Sequence, residues 1–118
     1  MTWNLNKDKP ICPQLTEHLA VQIARGEFAP EQKLMSVREV AVAAGVNPNT
    51  VQKAFEQLEA KGIIYSVRGS GWFVCADVQP AIDETQRVVN EKVDSFLAEM
   101  DGLGYSAAEV KSLIEGRQ

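Results

Sequence analysis

Soft metal ligands are scarce in this 118-residue chain, which has two cysteines, Cys12 and Cys75, and one histidine, His18. A structural zinc site takes four ligands in paired short spacings. No metal and no cofactor are therefore expected, and the thiols read as packed or surface groups, with a redox role as the alternative. No apolar run approaches the roughly 18 residues that would cross a bilayer. The opening MTWNLNKDKP lacks the charged-then-apolar-then-small layout of a secretion signal, so the expectation is a cytoplasmic protein with no membrane partner. Neither a phosphate loop nor a nucleophile–base pair is present, which speaks against an enzyme.

The chain is also short of positive charge, with a formal net charge of −4. Its distribution matters more than its sum for a nucleic-acid partner. Residues 1–75 carry eight Lys/Arg against seven Asp/Glu, whereas residues 76–118 carry four against nine. The acidity belongs to the tail, and the front part is free to present a basic face. With 45% hydrophobic and 24% charged residues, the composition is that of a globular protein.

Periodicity organises the front part into three helices. Leu15, Leu19 and Ile23 mark an apolar stripe over residues 13–27, with Pro13 in the first turn and Gly26 past the end. His18 lies beside that stripe with no second ligand at metal-binding spacing, as a solvent-facing or half-packed side chain. A Pro-centred connector, FAPEQKLM, ends in a very short strand at 33–35. SVREVAVAAGV then reads as a short helix with Ser36 and Glu39 in capping-box spacing and Gly45 as a left-handed stop. Asn47 caps the next helix, with Pro48 at its first position. Val51, Ala54, Phe55 and Leu58 form its buried face, and Gly62 ends it.

Two helices joined by a short glycine-containing turn form a helix–turn–helix pattern. Next come IIYSV, a turn RGSG and WFVC, which together predict a β-hairpin. Helix, helix, helix, hairpin is a winged helix. The expected fold class is mostly α with a small β-hairpin wing (α+β), the winged helix–turn–helix over residues 1–76 being followed by two C-terminal helices over 77–118.

In that tail, Pro80 opens a long helix over 80–101, and Ser106 with Glu109 caps a last one. Ile82, Val89, Val93, Phe96, Leu97 and Met100 on the first, with Val110, Leu113 and Ile114 on the second, make apolar stripes. So few residues cannot bury such stripes alone. They would cover a second copy of the chain, giving a homodimer, or else fold back on the winged domain.

Within the third helix, the first two turns carry Asn47, Asn49, Thr50, Gln52 and Lys53, hydrogen-bonding side chains that no core requires. A recognition helix needs that end free, because it enters the major groove. Amides can bond adenine N6 and N7 together, and a threonine can touch a phosphate or a thymine methyl. Unpaired N–H groups at the helix start would add a phosphate site. Lys53 and Arg38 would contact the backbone, and Arg68 at the hairpin tip would reach the minor groove or a phosphate. The bland alternative is an ordinary wet helix face, and a winged helix can also serve as a protein-interaction module.

Residues 10–74 resemble the winged-helix domain of GntR-type bacterial transcription regulators. SVRE, NPNTVQKAF, LEAKG and GSGWFV, at these spacings, carry the likeness. The tail, with LGYSAAEVKSLI after one longer helix, resembles the YtrA-type subfamily, whose short tails dimerise. The resemblance implies DNA contacts at Ser36, Arg38, Asn47, Asn49, Thr50 and Gln52, and at the wing residues Arg68, Gly69, Ser70 and Gly71. It also implies a repressor that binds double-stranded DNA at a palindromic operator. An effector, if one acts, is not named by the sequence, and the dimer seam would be its place. Many members have arginine at positions 48 and 52, where this chain has Pro48 and Gln52. The expected readout is accordingly amide-based and directed at adenine.

Overall fold

The computed structural model describes residues 3–117. In chain order its elements are α1 (Ile11–Ala24), α2 (Val37–Ala44), α3 (Pro48–Ala60), β1 (Ile64–Val67), β2 (Gly71–Val74), α4 (Gln79–Gly102) and α5 (Ala107–Glu115). Helices α2, α3 and α5 start at side-chain caps. The Ser36 hydroxyl oxygen accepts from the Glu39 N–H while the Glu39 carboxylate accepts from the Ser36 N–H, and Ser106 with Glu109 repeats the arrangement. Gly45 closes α2 at φ +69, a conformation in which a Cβ would be strained.

The chain divides into two compact units, one ending at Thr85 and one beginning at Gln86. In the first, α3 packs on α1, α2 and β1. Leu15, Leu19, Ile23, Val51, Phe55, Leu58, Ile63, Ile64 and Val74 make its core. Each such side chain contributes about 1.5–3 kcal/mol by leaving water. Buried Thr16 on α1 also meets α3, its single hydroxyl proton lying between the Cys12 C=O at 3.0 Å and Gln57 Oε1 at 3.2 Å. The core extends past the wing to Ala81, fully enclosed in the first turns of α4, and Lys61 pairs with Glu84 at 3.1 Å. For this reason the compact division falls nine residues beyond the boundary expected at 76.

Strands β1 and β2 pair antiparallel, with Ile64 opposite Val74 and Val67 opposite Gly71. The short strand expected near residue 33 is a single bridge, Lys33 opposite Phe73. Its neighbours complete a third rung, Leu34 N–H donating to Trp72 C=O at 2.8 Å and Val74 N–H to Gln32 C=O at 2.9 Å. His18 is half-buried and tilts against Trp3 with ring centroids 4.9 Å apart, and no described residue bonds its buried Nε2.

In the second unit, Val88 and Val110 are buried. Val110 is only 2% exposed in the single chain. Its side chain is enclosed within the single chain, unlike the exposed members of the expected dimer set. Val89, Val93, Phe96, Leu113 and Ile114 are all exposed, Phe96 by 43% and Ile114 by 51%. Leu97 and Met100 are intermediate, as is Ile82, which falls in the first unit. No helix among the described residues is long and apolar enough to cross a membrane.

Candidate nucleic-acid interface

Asn47, Asn49, Gln52 and Lys53 are exposed and Thr50 is half-exposed. They occupy the cap and first turns of α3, while Val51, Ala54, Phe55 and Leu58 anchor the opposite face. The anchoring also sets the wing. The Phe55 ring meets the Trp72 ring edge-on, centroids 5.4 Å apart and planes at 80°. At the other end of α3, Glu59 Oε2 accepts from the Ser66 N–H at 3.3 Å and from its hydroxyl at 3.0 Å. An aromatic contact and a carboxylate thus join the shared core in tying helix to hairpin.

The exposed amides are not equivalent. Asn47 Oδ1 accepts from the Asn49 N–H at 2.8 Å, so its carbonyl is committed to the cap. Gln52 Nε2 donates to Glu56 Oε1 at 3.2 Å, one turn further on. Among the described residues, the Asn49 side chain has no protein hydrogen-bond partner, which leaves donor and acceptor both free, as two-point contact with adenine requires. Sequence reasoning could not separate the three, because the difference lies in which amide the helix itself consumes.

One expectation is corrected. Beyond the cap residue's own N–H, the N–H groups at the start of α3 are not open to a phosphate. Pro48 has none, Asn49 gives its N–H to the Asn47 side chain, and Thr50 and Val51 give theirs to the Asn47 C=O at 3.0 and 3.3 Å. The asparagine that makes a good cap takes up N–H groups it was expected to leave open.

On α2, Arg38 is exposed in the first turn, next to Ser36. The Ser36 oxygen is occupied by the capping box, though its O–H remains a donor. The same box holds the Glu39 carboxyl below its ordinary pKa, chiefly through the hydrogen bond from the Ser36 backbone.

At the wing tip, Arg68, Gly69 and Ser70 are exposed and Gly71 is half-buried. Ser70 N–H closes the turn on Val67 C=O at 2.9 Å, with Gly69 at φ +79. Gly71 lies at φ +126, and a Cβ there would stand 3.1 Å from Lys33 Cε. Lys33, which the motif reading did not select, thus runs along the wing toward its tip. The signal for it was the short strand: a residue at that rung is brought to the hairpin by backbone pairing. The structure gathers the α2 start, the α3 start and the wing into one unit, and keeps every one of the expected contact side chains at least partly accessible.

A short helix pair whose second helix exposes one face, braced by a two-stranded hairpin, defines a winged helix–turn–helix protein. Residues 13–74 match the family model described as bacterial regulatory proteins, gntR family. The chain is 32% identical over 112 residues to the HTH-type transcriptional regulator YhcF of Bacillus subtilis (strain 168), covering 92% of this chain and 93% of that protein. It is 31% identical over 107 residues to the HTH-type transcriptional repressor YtrA of the same organism, covering 90% and 80%. Among solved structures, a GntR family transcriptional regulator from Listeria monocytogenes superposes with a TM-score of 0.83 at 30% identity, over 95% of this chain and 98% of that one. AraR(DBD) in complex with operator ORE1 matches with a TM-score of 0.55 at 31% identity, over 64% and 94%. The chain belongs to the GntR family of bacterial transcription regulators, and the likeness to YtrA places it with the short-tailed, YtrA-type members.

Proposed function

We propose that the chain is a sequence-specific repressor that binds an inverted-repeat operator as a homodimer. The start of α3 enters the major groove, with Asn49 reading an adenine and Asn47, Thr50, Gln52 and Lys53 beside it. Ser36 and Arg38 grip the backbone from α2, and the wing residues Arg68, Gly69, Ser70 and Gly71 follow the backbone into the minor groove. The observation that carries this reading is the unspent Asn49 amide on a helix whose other face is locked in the core. The operator complex of AraR(DBD) and the repressor YtrA support it by likeness. Two-fold protein symmetry then demands two-fold symmetry in the operator.

The dimer seam is assigned to Val89, Val93, Phe96, Leu97, Met100, Leu113 and Ile114, with Ile82 adjoining. Among the described residues, seven of the nine exposed large hydrophobic side chains lie between 89 and 114, a concentration that a lone monomer has no reason to keep. Domain roles follow the same division, DNA reading in the winged part and dimerisation in the tail. Footprinting on the promoter of the protein's own gene, at stated salt, tests the proposal. Protection of a palindromic site is expected, and its absence over that whole region would sink it.

A further inference from the structure

The closed cap on α3 leaves a question about how a phosphate beside the recognition helix is held. Pro48 has no N–H, and those of Asn49 and Thr50 are taken up by Asn47, which leaves at most the cap residue's own N–H for a phosphate. Positive charge at that corner has to come from a side chain, and the structure shows one that the helix–turn–helix pattern does not contain. Lys7 Nζ donates to the Gly45 C=O at 2.7 Å. Gly45 is the left-handed cap of α2 and lies two residues before the Asn47 cap of α3.

Lys7 arrives there through a built segment. Leu5 and Trp3 pack against the core, and Trp3 rests on His18. Asn6 exchanges backbone bonds with the Gln14 side chain, its N–H donating to Oε1 at 2.7 Å and its C=O accepting from Nε2 at 2.9 Å. A tight turn follows, Lys9 N–H donating to Asn6 C=O and Asp8 N–H to Asn6 Oδ1. Lys7 occupies the second position of that turn. It is exposed and, among the described residues, makes no ion pair with a carboxylate. An ammonium carries three donors. One is held by Gly45, where the carbonyl end of α2 favours a cation, and two remain.

We propose that Lys7 is a DNA-binding residue that contacts the phosphate backbone at the corner between α2 and α3, fixed there by its bond to Gly45. The claim rests on the DNA-binding reading above, but not on any particular operator. Lys7 belongs with Lys53, Arg38 and Arg68 as a phosphate contact, adding to them a charge from the N-terminal segment.

The test compares the full-length protein with Lys7→Gln and Lys7→Arg on two probes, a mixed-sequence duplex and the gene's own promoter duplex. Affinity is followed across a salt series. One lost phosphate contact should lower the slope of log affinity against log salt by about 0.9 and weaken both probes alike, roughly 5–10-fold at about 0.1 M salt. Lys7→Arg should keep the slope, and thermal melts should show all three proteins folded. An unchanged slope in Lys7→Gln overturns the proposal, even if affinity falls, because Lys7 would then only steady the turn. A wild-type protein that binds both probes equally counts against operator reading and leaves this inference standing on the slope. A wild-type protein that binds neither overturns both.

Discussion

At the scale of single residues, the interface separates groups that are similar in sequence and unlike in what they have left to offer. Asn49→Ala is expected to cost about 1–3 kcal/mol at the cognate site and to relax base preference at one position. Arg68→Ala should instead weaken binding evenly across sequences, as loss of a backbone contact does. Parallel binding curves on cognate and scrambled duplexes distinguish them, and a uniform loss for both variants would remove Asn49 from the base-reading role. Acid stability offers a second check. Hydrogen bonds from Ser36 hold the Glu39 carboxyl below its unfolded value of 4.5. Its contribution is therefore fully present above that value and is lost as pH falls through the lowered folded pKa. His18 acts earlier on the way down. Burial lowers its pKa from 6.5, with Glu27 and Glu17 opposing, so the unfolded chain takes up a proton first and stability starts to decline below about 6.5. Glu39→Gln keeps the capping geometry and should flatten the acid limb of a urea-midpoint profile below pH 4.5 without moving the His18 limb.

At the scale of elements, the wing depends on a backbone that only glycine adopts readily. Gly71→Ala places a Cβ at φ +126 and against the Lys33 side chain. Lys33 can swing aside, so the backbone conformation should dominate, destabilising by roughly 1–3 kcal/mol in chemical unfolding. Gly69→Ala probes open space at φ +79 and should cost only its backbone share. The elements themselves were legible because they are written in local chemistry. Ser36–Glu39, Asn47–Pro48 and Gly45 announce helix ends, and the β-branched and aromatic runs around RGSG announce a hairpin. What could not be read was decided by neighbours. Asn47 satisfying the N–H groups of α3, Lys7 reaching Gly45 across 38 positions and Lys33 lying under Gly71 are consequences of packing. Val110 carried the same apolar signal as Leu113 and Ile114, and only the fold determined that it is enclosed while they are exposed.

At the scale of the whole molecule, charge and apolar surface are segregated along the chain. The acidic residues and the exposed hydrophobic side chains both concentrate after residue 76, while the front part is near neutral. Phe96→Glu adds an unpaired charge to the proposed seam, with Val93 and Val89 one and two turns before it on the same helix. Buried there it would lack a partner, so sedimentation should show a monomer. Affinity for the two-half-site operator should fall far more than affinity for one half-site. A dimer that survives Phe96→Glu would move the seam elsewhere. The enclosed methyl of Ala81 has a practical corollary for anyone exchanging parts between relatives. A chimera spliced just after the hairpin would graft a foreign side chain into an existing hydrophobic interior, whereas a junction placed after Thr85 hands over the donor's C-terminal segment with that interior intact.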